Sequence, residues 1–170
     1  MMKWPGVPDV YGWLALDRRG EWRVKDSAAG EAGFSRIGNA ALRDFIGRNY
    51  TCDPDGRYFF QNGPQRVYVR LACTPYVFRF EGASADSALR DQCGGEVIAT
   101  AAWVDEEGSL YLQSGKLLGL LDDRDLVRAA QAIHEDSLWL AGRALPLGQV
   151  DARSLPATFG FDRDPQPAQA

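Results

Sequence analysis

Residues 53–71 read DPDGRYFFQNGPQRVYVRL, in which two turn sequences separate runs of aromatic and β-branched residues. Asp53-x-x-Gly56 is typical of a type I turn that a glycine closes in the left-handed region. Asn62-Gly63 is a strong two-residue hairpin signal, and Pro64 after it must lie where no ladder hydrogen bond is required. Apolar residues then alternate with Tyr and Arg, the period-two pattern of a half-buried strand. The stretch therefore predicts consecutive antiparallel strands.

The pattern Asp-x-x-Gly-x-apolar occurs three times, at residues 17–22, 53–58 and 105–110. Strand-like residues flank each copy, so each predicts a hairpin closed by a glycine bulge. The three copies either descend from one duplicated unit or share a convenient turn. A further strand is predicted at Tyr76–Phe80, and the polar, small-residue stretch Gly82–Gly95 reads as a loop.

Two short helices interrupt the strands. Asn39 is a suitable N-cap for a helix over residues 40–48. Asp122 or Asp123 is the N-cap expected for a second helix, which would run to about His134 with Leu126, Ala130 and Ile133 on one face. Strands joined as hairpins, without βαβ alternation, favour an α+β fold: a strongly bent antiparallel sheet built from hairpins, with two short packing helices.

The length of 170 residues predicts one globular domain, which we place at residues 1–161, followed by a C-terminal tail at 162–170. No apolar run approaches the roughly 18–20 residues of a membrane-spanning helix, so insertion into a membrane is not expected. The N-terminus lacks the apolar core of a secretory signal. Three widely spaced cysteines without a CxxC pair suit a reducing cytoplasm.

The charge balance is 19 basic against 23 acidic residues, a net charge of −4. This balance argues against a nucleic-acid binder, which would need a basic stripe to neutralise phosphates. Arginine outnumbers lysine 16 to 3, an excess that we attribute to the composition of a GC-rich bacterial genome. An arginine-lined anion site is the alternative, but the scattered positions of the arginines do not support it. His134 and the cysteines lack the paired spacing of a zinc site, so neither a metal nor a cofactor is predicted.

Catalytic patterns are weak. His134 is the single histidine, placed near a predicted helix end where the helix dipole already explains it. The sequence contains no G-x-S-x-G elbow, dinucleotide fingerprint or P-loop. The glycines of residues 30–38 precede a helix whose free N–H groups could take an anion, but a flexible approach to that helix explains them better. A pair of catalytic carboxylates remains an alternative that sequence cannot place.

The densest polar cluster is the predicted hairpin at residues 61–66, and it is the candidate ligand-binding site. Amide and guanidinium groups on a rigid hairpin can orient a ligand through directed hydrogen bonds. The end of the first helix adds similar groups and is expected to face the same region. The candidate residues are Arg48, Asn49, Tyr50, Gln61, Asn62, Gln65 and Arg66. The alternative is purely local: Asn62-Gly63 forms a turn, and Asn49 closes the helix in a left-handed cap.

Four of the five tryptophans fall into two groups. Trp13, Trp22 and Trp103 flank predicted hairpins and are expected in the core. Trp4, in a proline-containing entry segment, is expected to be the one that contacts a partner.

Four segments resemble a conserved-hypothetical family of proteobacteria: YGWLALD at 11–17, FIGRNY at 45–50, FFQNGPQRVYV at 59–69 and LDDRDL at 121–126. The likeness spans most of residues 6–161 and is most specific at 61–69. It implies a bacterial, cytoplasmic, stand-alone domain without assigned activity, and it supplies no catalytic residues.

These observations favour a non-enzymatic module of the bacterial cytoplasm that binds a small ligand or a peptide. The alternatives are a protein-interaction or self-assembling domain, which would use exposed aromatics or an edge strand, and a carboxylate-dependent enzyme. The ligand or protein partner and the oligomeric state stay open at this point.

Overall fold

The computed structural model describes residues 7–30 and 33–169, which form two β-sheets with short helices. By residue contacts the chain divides into two compact units. Unit 1 comprises Met1–Asp17, Glu21–Cys73 and Gly160–Ala170, and unit 2 comprises Arg18–Gly20 and Thr74–Phe159. The number of independently folding domains, predicted above as one over residues 1–161, stays a prediction.

Unit 1 contains a six-stranded sheet in the order β3-β2-β1-β6-β5-β4. All neighbouring strands are antiparallel except β1 and β6, which are parallel. Leu14, Leu16, Trp22, Ile46 and Val69 are among its buried core residues. The elements are β1 (Val10–Leu16), β2 (Trp22–Lys25), a 3-10 turn (Ser27–Ala29), β3 (Phe34–Arg36), α1 (Ala40–Arg48), β4 (Tyr50–Cys52), β5 (Tyr58–Asn62) and β6 (Gln65–Leu71).

Unit 2 contains a nine-stranded sheet in the order β13-β14-β15-β10-β11-β12-β7-β8-β9. Two of its pairs are parallel, β12 with β7 and β10 with β15. The elements are β7 (Tyr76–Phe80), β8 (Leu89–Arg90), β9 (Glu96–Val97), β10 (Ala101–Val104), β11 (Leu110–Ser114), β12 (Leu117–Leu121), a 3-10 helix (Asp123–Asp125), α2 (Leu126–Gln131), β13 (Ile133–His134), β14 (Ser137–Leu140), β15 (Arg143–Gln149), a second 3-10 helix (Ala152–Ser154) and α3 (Leu155–Phe159).

The predicted α+β class, with a strongly bent sheet built from hairpins, is confirmed. The structure adds two features that the sequence did not indicate, a second sheet and parallel pairs among the antiparallel ones. Within residues 7–30 and 33–169, no helix has the length and apolar character needed to cross a membrane.

Strand order repeats between the two units. Strands β9-β8-β7-β12-β11-β10 of unit 2 follow the same order as β3-β2-β1-β6-β5-β4 of unit 1, and in both the third and fourth strands are the parallel pair. Asp53, Gln61 and Gly63 have counterparts at one constant separation in Asp105, Gln113 and Gly115. The repeated arrangement is therefore a six-stranded unit rather than a single hairpin.

All three Asp-x-x-Gly hairpins are confirmed, joining β1 to β2, β4 to β5, and β10 to β11. The closing glycines have φ values of 78°, 76° and 83°. In the third turn, Asp105 Oδ1 accepts the N–H groups of Glu107 at 2.9 Å and Ser109 at 2.8 Å. The aspartate thus binds the backbone of its own turn, which explains why this residue opens each copy.

A fourth turn of the same kind lies within the stretch predicted as a loop, and there the prediction is wrong. Asp91 Oδ1 accepts the N–H groups of Cys93 at 2.8 Å and Gly95 at 2.9 Å, and Gly94 has φ 86°. The turn joins the two-residue strands β8 and β9. The sequence pattern missed it because Glu96 stands where the other copies have an apolar residue.

Helix α1 and its N-cap are confirmed, with Asn39 Oδ1 accepting the N–H of Leu42 at 3.0 Å. The second helix is shorter than predicted: Asp122 caps the 3-10 turn before it, and α2 ends at Gln131. His134 belongs instead to β13, which pairs with β14 through a turn in which Glu135 has φ 54°. Hairpin pairing of β13 with β14 thus replaces the predicted last turn of the helix. The buried alanine of α2 is Ala129, not Ala130 as predicted.

The tryptophans follow the strand alternation rather than the predicted core positions. Trp22 is buried, and Trp103 is partly buried against Phe159. Trp13 is 55% exposed, so its core assignment is wrong. The side chain of Leu14 occupies the inner face of β1, and its neighbour therefore points outward. Trp4 lies outside the described residues.

The segment that follows Gly160 packs against the strands of unit 1, the unit to which it belongs. Phe161 is buried, and the N–H of Asp162 donates to the carbonyl of Gly56 at 3.0 Å. The N–H of Leu71 donates to the carbonyl of Arg163 at 2.8 Å. These contacts bring Arg163, from the C-terminal segment, to the end of β6.

A pair of glycine substitutions tests that docking. A Cβ on Gly56 would lie 2.2 Å from the carbonyl oxygen of Gly160, whereas a Cβ on Gly108 would meet nothing within 4 Å. Both positions have positive φ, so Gly108→Ala is expected to cost about 1–2 kcal/mol of stability through backbone strain alone. Gly56→Ala is expected to lose a further 1–3 kcal/mol or so, because the carbonyl must move. Urea unfolding followed by circular dichroism measures both, and equal losses would contradict the docked C-terminal segment.

Candidate functional site

The end of the parallel pair of unit 1 carries a cavity. Parallel pairing places the carboxyl ends of β1 and β6 side by side, with Leu16 and Leu71 as register partners. A cavity of about 380 Å³ lies there, and we call it the β1–β6 cavity. Its apolar lining includes Leu16, Phe34 and Leu71, and its charged lining consists of Asp17, Arg23, Arg70 and Arg163. The cavity thus combines an apolar wall with three guanidinium groups.

Each arginine comes from a different segment and has a different partner. Arg23 Nε donates to Asp17 Oδ2 at 2.7 Å. The guanidinium of Arg163 donates to the carbonyl of Ala72. Arg70 Nε lies 3.9 Å from Asp164 Oδ1, and both of these side chains are 54% exposed. This separation is too long for a hydrogen bond. Two arginines are therefore held in place, while the third keeps its donors for another acceptor.

The glutamine side chains of the predicted hairpin donate to backbone carbonyls, Gln61 to two within the hairpin and Gln65 to one outside it. Gln61 Nε2 donates to the carbonyl of Gly63 at 2.7 Å and to that of Gln65 at 3.2 Å. Gln65 Nε2 donates to the carbonyl of Pro8 at 3.1 Å. The predicted Asn62-Gly63 turn is shifted by one residue: Asn62 is exposed as the last residue of β5, paired with Gln65, and Gly63-Pro64 forms the two-residue loop with φ 56° at the glycine. These bonds stabilise the hairpin.

Arg66 and Tyr50, also predicted as binding residues, contact aromatic rings. The guanidinium of Arg66 lies over Phe59, 4.6 Å from the ring centroid. The ring of Tyr50 packs against Trp22 and Tyr58, with centroids 5.0 Å and 5.3 Å away. Both side chains therefore contribute to the packing of unit 1.

The end of helix α1 lies beside the hairpin, as predicted. The N–H of Gln61 donates to the carbonyl of Asn49 at 2.9 Å, and Asn49 Nδ2 donates to the carbonyl of Phe45 at 2.8 Å. Asn49 has φ −114°, so the alternative of a left-handed cap is wrong. Arg48 is exposed in the last turn of the helix. The assignment of these seven residues to a binding site stays a prediction.

A second cavity, of about 650 Å³, lies in unit 2 beside the ends of β10 and β15. Its carboxylates already bind protein groups. Glu106 Oε2 accepts the N–H of Ala152 at 3.1 Å, and Asp151 caps the following 3-10 helix. Asp105 Oδ2 accepts the hydroxyl of Tyr111 at 2.7 Å. Burial alone would raise the pKa of Asp105, but this bond and the turn N–H groups outweigh it and lower the pKa.

Nucleophilic and metal-binding groups are dispersed. His134 is exposed on β13. In the part of the chain that the structure describes, no three His, Cys, Asp or Glu residues are grouped so as to hold a metal ion. Burial, aided by the nearby charge of Asp91, raises the pKa of Cys93 to about 12. Cys73 is buried and Cys52 is exposed.

Sequence reasoning missed the β1–β6 cavity because its arginines are far apart along the chain. The arginine excess is the one sequence signal for it, and that excess does not reveal which residues converge. Their convergence depends on the parallel pairing of β1 with β6 and on the docked C-terminal segment.

Comparison with known proteins gives a family. The model of the family described as "Protein of unknown function (DUF2946)" matches residues 1–166. The predicted resemblance to an uncharacterised family is thereby confirmed. No curated protein matches the chain.

Two solved structures are similar to the chain. One is a DUF1285 family protein from Silicibacter pomeroyi DSS-3, with 18% identity and a TM-score of 0.54 over 82% of this chain and 80% of that one. The other is a DUF1285 family protein from Shewanella baltica OS155, with 18% identity and a TM-score of 0.48 over 71% of this chain and 92% of that one. The first likeness shows a shared fold.

The hairpin bonds predict a small, specific effect on stability. Gln61→Ala removes both side-chain bonds to the turn and is expected to cost about 0.5–1.5 kcal/mol. Asn62→Ala, at the exposed neighbouring position, serves as the control and should change stability by less than about 0.5 kcal/mol. Urea unfolding measures the difference, and a larger loss in the Asn62 variant would contradict this account of the turn.

Two of the three thiols, those of Cys52 and Cys93, are expected to react in a fixed order. A pKa of about 12 leaves roughly one Cys93 in ten thousand as the thiolate at pH 8, and the thiolate is the reactive form. Iodoacetamide should therefore modify Cys52 in the native protein well before Cys93, as read by peptide mass mapping. In urea, where burial is lost, the two should react at similar rates. Equal rates in the native protein would overturn the burial of Cys93.

Proposed function

Because the chain belongs to the family described as Protein of unknown function (DUF2946), membership alone supplies no activity, and we propose a function from the geometry. The protein is a non-enzymatic module of the bacterial cytoplasm that binds a small ligand in the β1–β6 cavity. The observation that carries this proposal is the convergence of Arg23, Arg70 and Arg163 on one cavity.

The size and lining of the cavity support binding. Ligand sites are concave, usually about 300–1,000 Å³, and combine an apolar lining with a few polar groups that fix orientation. At about 380 Å³, with Phe34 and two leucines beside the guanidinium groups, the β1–β6 cavity meets both conditions. It is formed by strand ends, which hold their side chains more rigidly than long loops do.

The chemistry of the cavity favours binding over proton transfer. Among the described residues that line it, Asp17 is the one carboxylate. Its Oδ1 accepts the N–H of Glu21 at 2.9 Å, and its Oδ2 accepts Arg23 at 2.7 Å. A carboxylate bound in this way orients an arginine and is a poor general base.

A second candidate function, binding of a protein partner, is favoured by one exposed surface. Trp13 on β1 is 55% exposed, and Lys25 Nζ on the neighbouring strand β2 lies 5.8 Å from its ring centroid. Partner binding at this surface would be lost in Trp13→Ala and kept in the cavity variants.

A thermal-shift screen against a panel of metabolites tests the first proposal. A ligand at about 100 times its Kd adds roughly 2.7 kcal/mol to the folded state. For a chain of this size that raises Tm by about 5–10 °C. We expect a panel member to produce such a shift, and the shift to disappear in Arg70→Gln.

Two variants serve as comparisons. Arg79→Gln removes an exposed arginine of β7 in unit 2 and should leave the shift intact. Arg66→Gln alters the predicted hairpin site. If the shift survives in Arg70→Gln and disappears in Arg66→Gln, the ligand binds at the hairpin and the proposal for the cavity is wrong.

A further inference from the structure

The β1–β6 cavity has an excess of positive charge in a protein whose net charge is −4. Arg23, Arg70 and Arg163 line it, against the single described carboxylate of Asp17. Asp164 adds only a distant ion pair to Arg70, at 3.9 Å. A negatively charged ligand group would balance this excess of positive charge.

The three guanidinium groups differ in how firmly the protein holds them. Arg23 binds Asp17 at 2.7 Å, and Arg163 donates to the carbonyl of Ala72. Among the described residues, Arg70 has only its loose ion pair with Asp164. A guanidinium presents its donors as a planar fork that matches the two oxygens of a carboxylate or phosphate. Arg70 is therefore the group that can bind an oxyanion directly, flanked by two fixed positive charges.

Part of the cavity lining is apolar. Leu16 and Leu71 are already covered by the protein, at 1% and 3% exposure, whereas Ala15 and Phe34 are half-buried and Ala72 is exposed. An inorganic anion would leave this surface without a partner. A ligand that fills the cavity needs an apolar body beside its charged group.

In unit 2, arginines at the equivalent strand ends are neutralised by carboxylates of the same unit. Just beyond the carboxyl ends of its parallel pair, Asp122 and Asp125 are buried and bind Arg124 and Arg128 respectively. Asp125 Oδ2 also accepts the N–H of Phe80 at 2.9 Å. Unit 2 thus provides a carboxylate for each of these arginines, whereas the arginines of the unit 1 cavity outnumber its carboxylates.

We infer that the ligand of the β1–β6 cavity is an organic acid, an apolar body carrying a carboxylate or phosphate group. Arg70 binds the oxyanion, Arg23 and Arg163 supply the surrounding positive charge, and Phe34 with Ala15 and Ala72 contacts the apolar body. This inference rests on the proposed binding function and adds the chemical class of the ligand.

Titration followed by ¹H–¹⁵N NMR tests the inference with four probes: benzoate, phenyl phosphate, benzamide and inorganic phosphate. The readouts are the backbone amides of Leu71 and Ala72 and the Nε–H of Arg70. The expected result is that benzoate or phenyl phosphate binds at least tenfold more tightly than benzamide, their neutral analogue. The ranking of the first two identifies the acid group. Phenyl phosphate should also bind more tightly than inorganic phosphate, because of its ring.

Two variants locate the effect. Arg70→Gln should remove the preference for benzoate or phenyl phosphate over benzamide, and Arg79→Gln should retain it. The spectrum of each variant shows whether it is folded. The comparison of probes on the unmodified protein remains decisive even if Arg70→Gln does not fold.

The possible failures are distinct. If benzamide perturbs Leu71 and Ala72 with the same affinity as benzoate and phenyl phosphate, the acid class is overturned and the proposed binding function stands. If inorganic phosphate binds as tightly as phenyl phosphate, the apolar body is overturned. If none of the four probes perturbs these residues and the metabolite panel produces no shift that depends on Arg70, the proposed function itself fails.

Discussion

The parallel pairing of β1 with β6 is the contact on which unit 1 depends. Strands β1 to β3 and strands β4 to β6 each follow one another as local antiparallel neighbours, and isolated hairpins of this kind are marginally stable. The parallel pair joins the two sets into one sheet, with Leu14, Leu16, Val69 and Leu71 buried along it. It also brings two strand ends together and thereby forms the cavity. Stability and the proposed function thus depend on one long-range contact.

Buried turn carboxylates are a second shared feature of the units. Asp53 Oδ2 accepts the hydroxyl of Tyr68 on β6 at 3.1 Å, and Asp105 Oδ2 accepts the hydroxyl of Tyr111 on β11. The two tyrosines are on different strands of their units, yet each reaches the equivalent carboxylate. For both aspartates burial opposes the charge, and the hydrogen bonds outweigh burial, so the pKa is lowered. A buried carboxylate requires hydrogen-bond donors. The hydroxyl donor comes from β6 in unit 1 and from β11 in unit 2.

The sequence predicts what is local and misses what is long-range. Asp-x-x-Gly turns, the Asn39 cap and the turn at Gly63 were predictable because each depends on a few adjacent residues and their own hydrogen bonds. The end of α2 was not predictable, because pairing of β13 with β14 overrides the helical pattern at Ile133. The convergence of the three cavity arginines was not predictable either. Their positions follow from strand pairing and from the docked C-terminal segment, neither of which leaves a periodic signal.

The repeated strand order separates what stabilises a unit from what can vary within it. In both units the turns and the parallel pair maintain the sheet, whereas the residues just beyond the strand ends differ between the units. In unit 2 those positions continue into a 3-10 helix and α2, and buried aspartates bind the local arginines. In unit 1 the corresponding strand ends border a cavity in which arginines exceed carboxylates. A repeated strand arrangement can therefore use one strand end for its own stability and the other for a ligand.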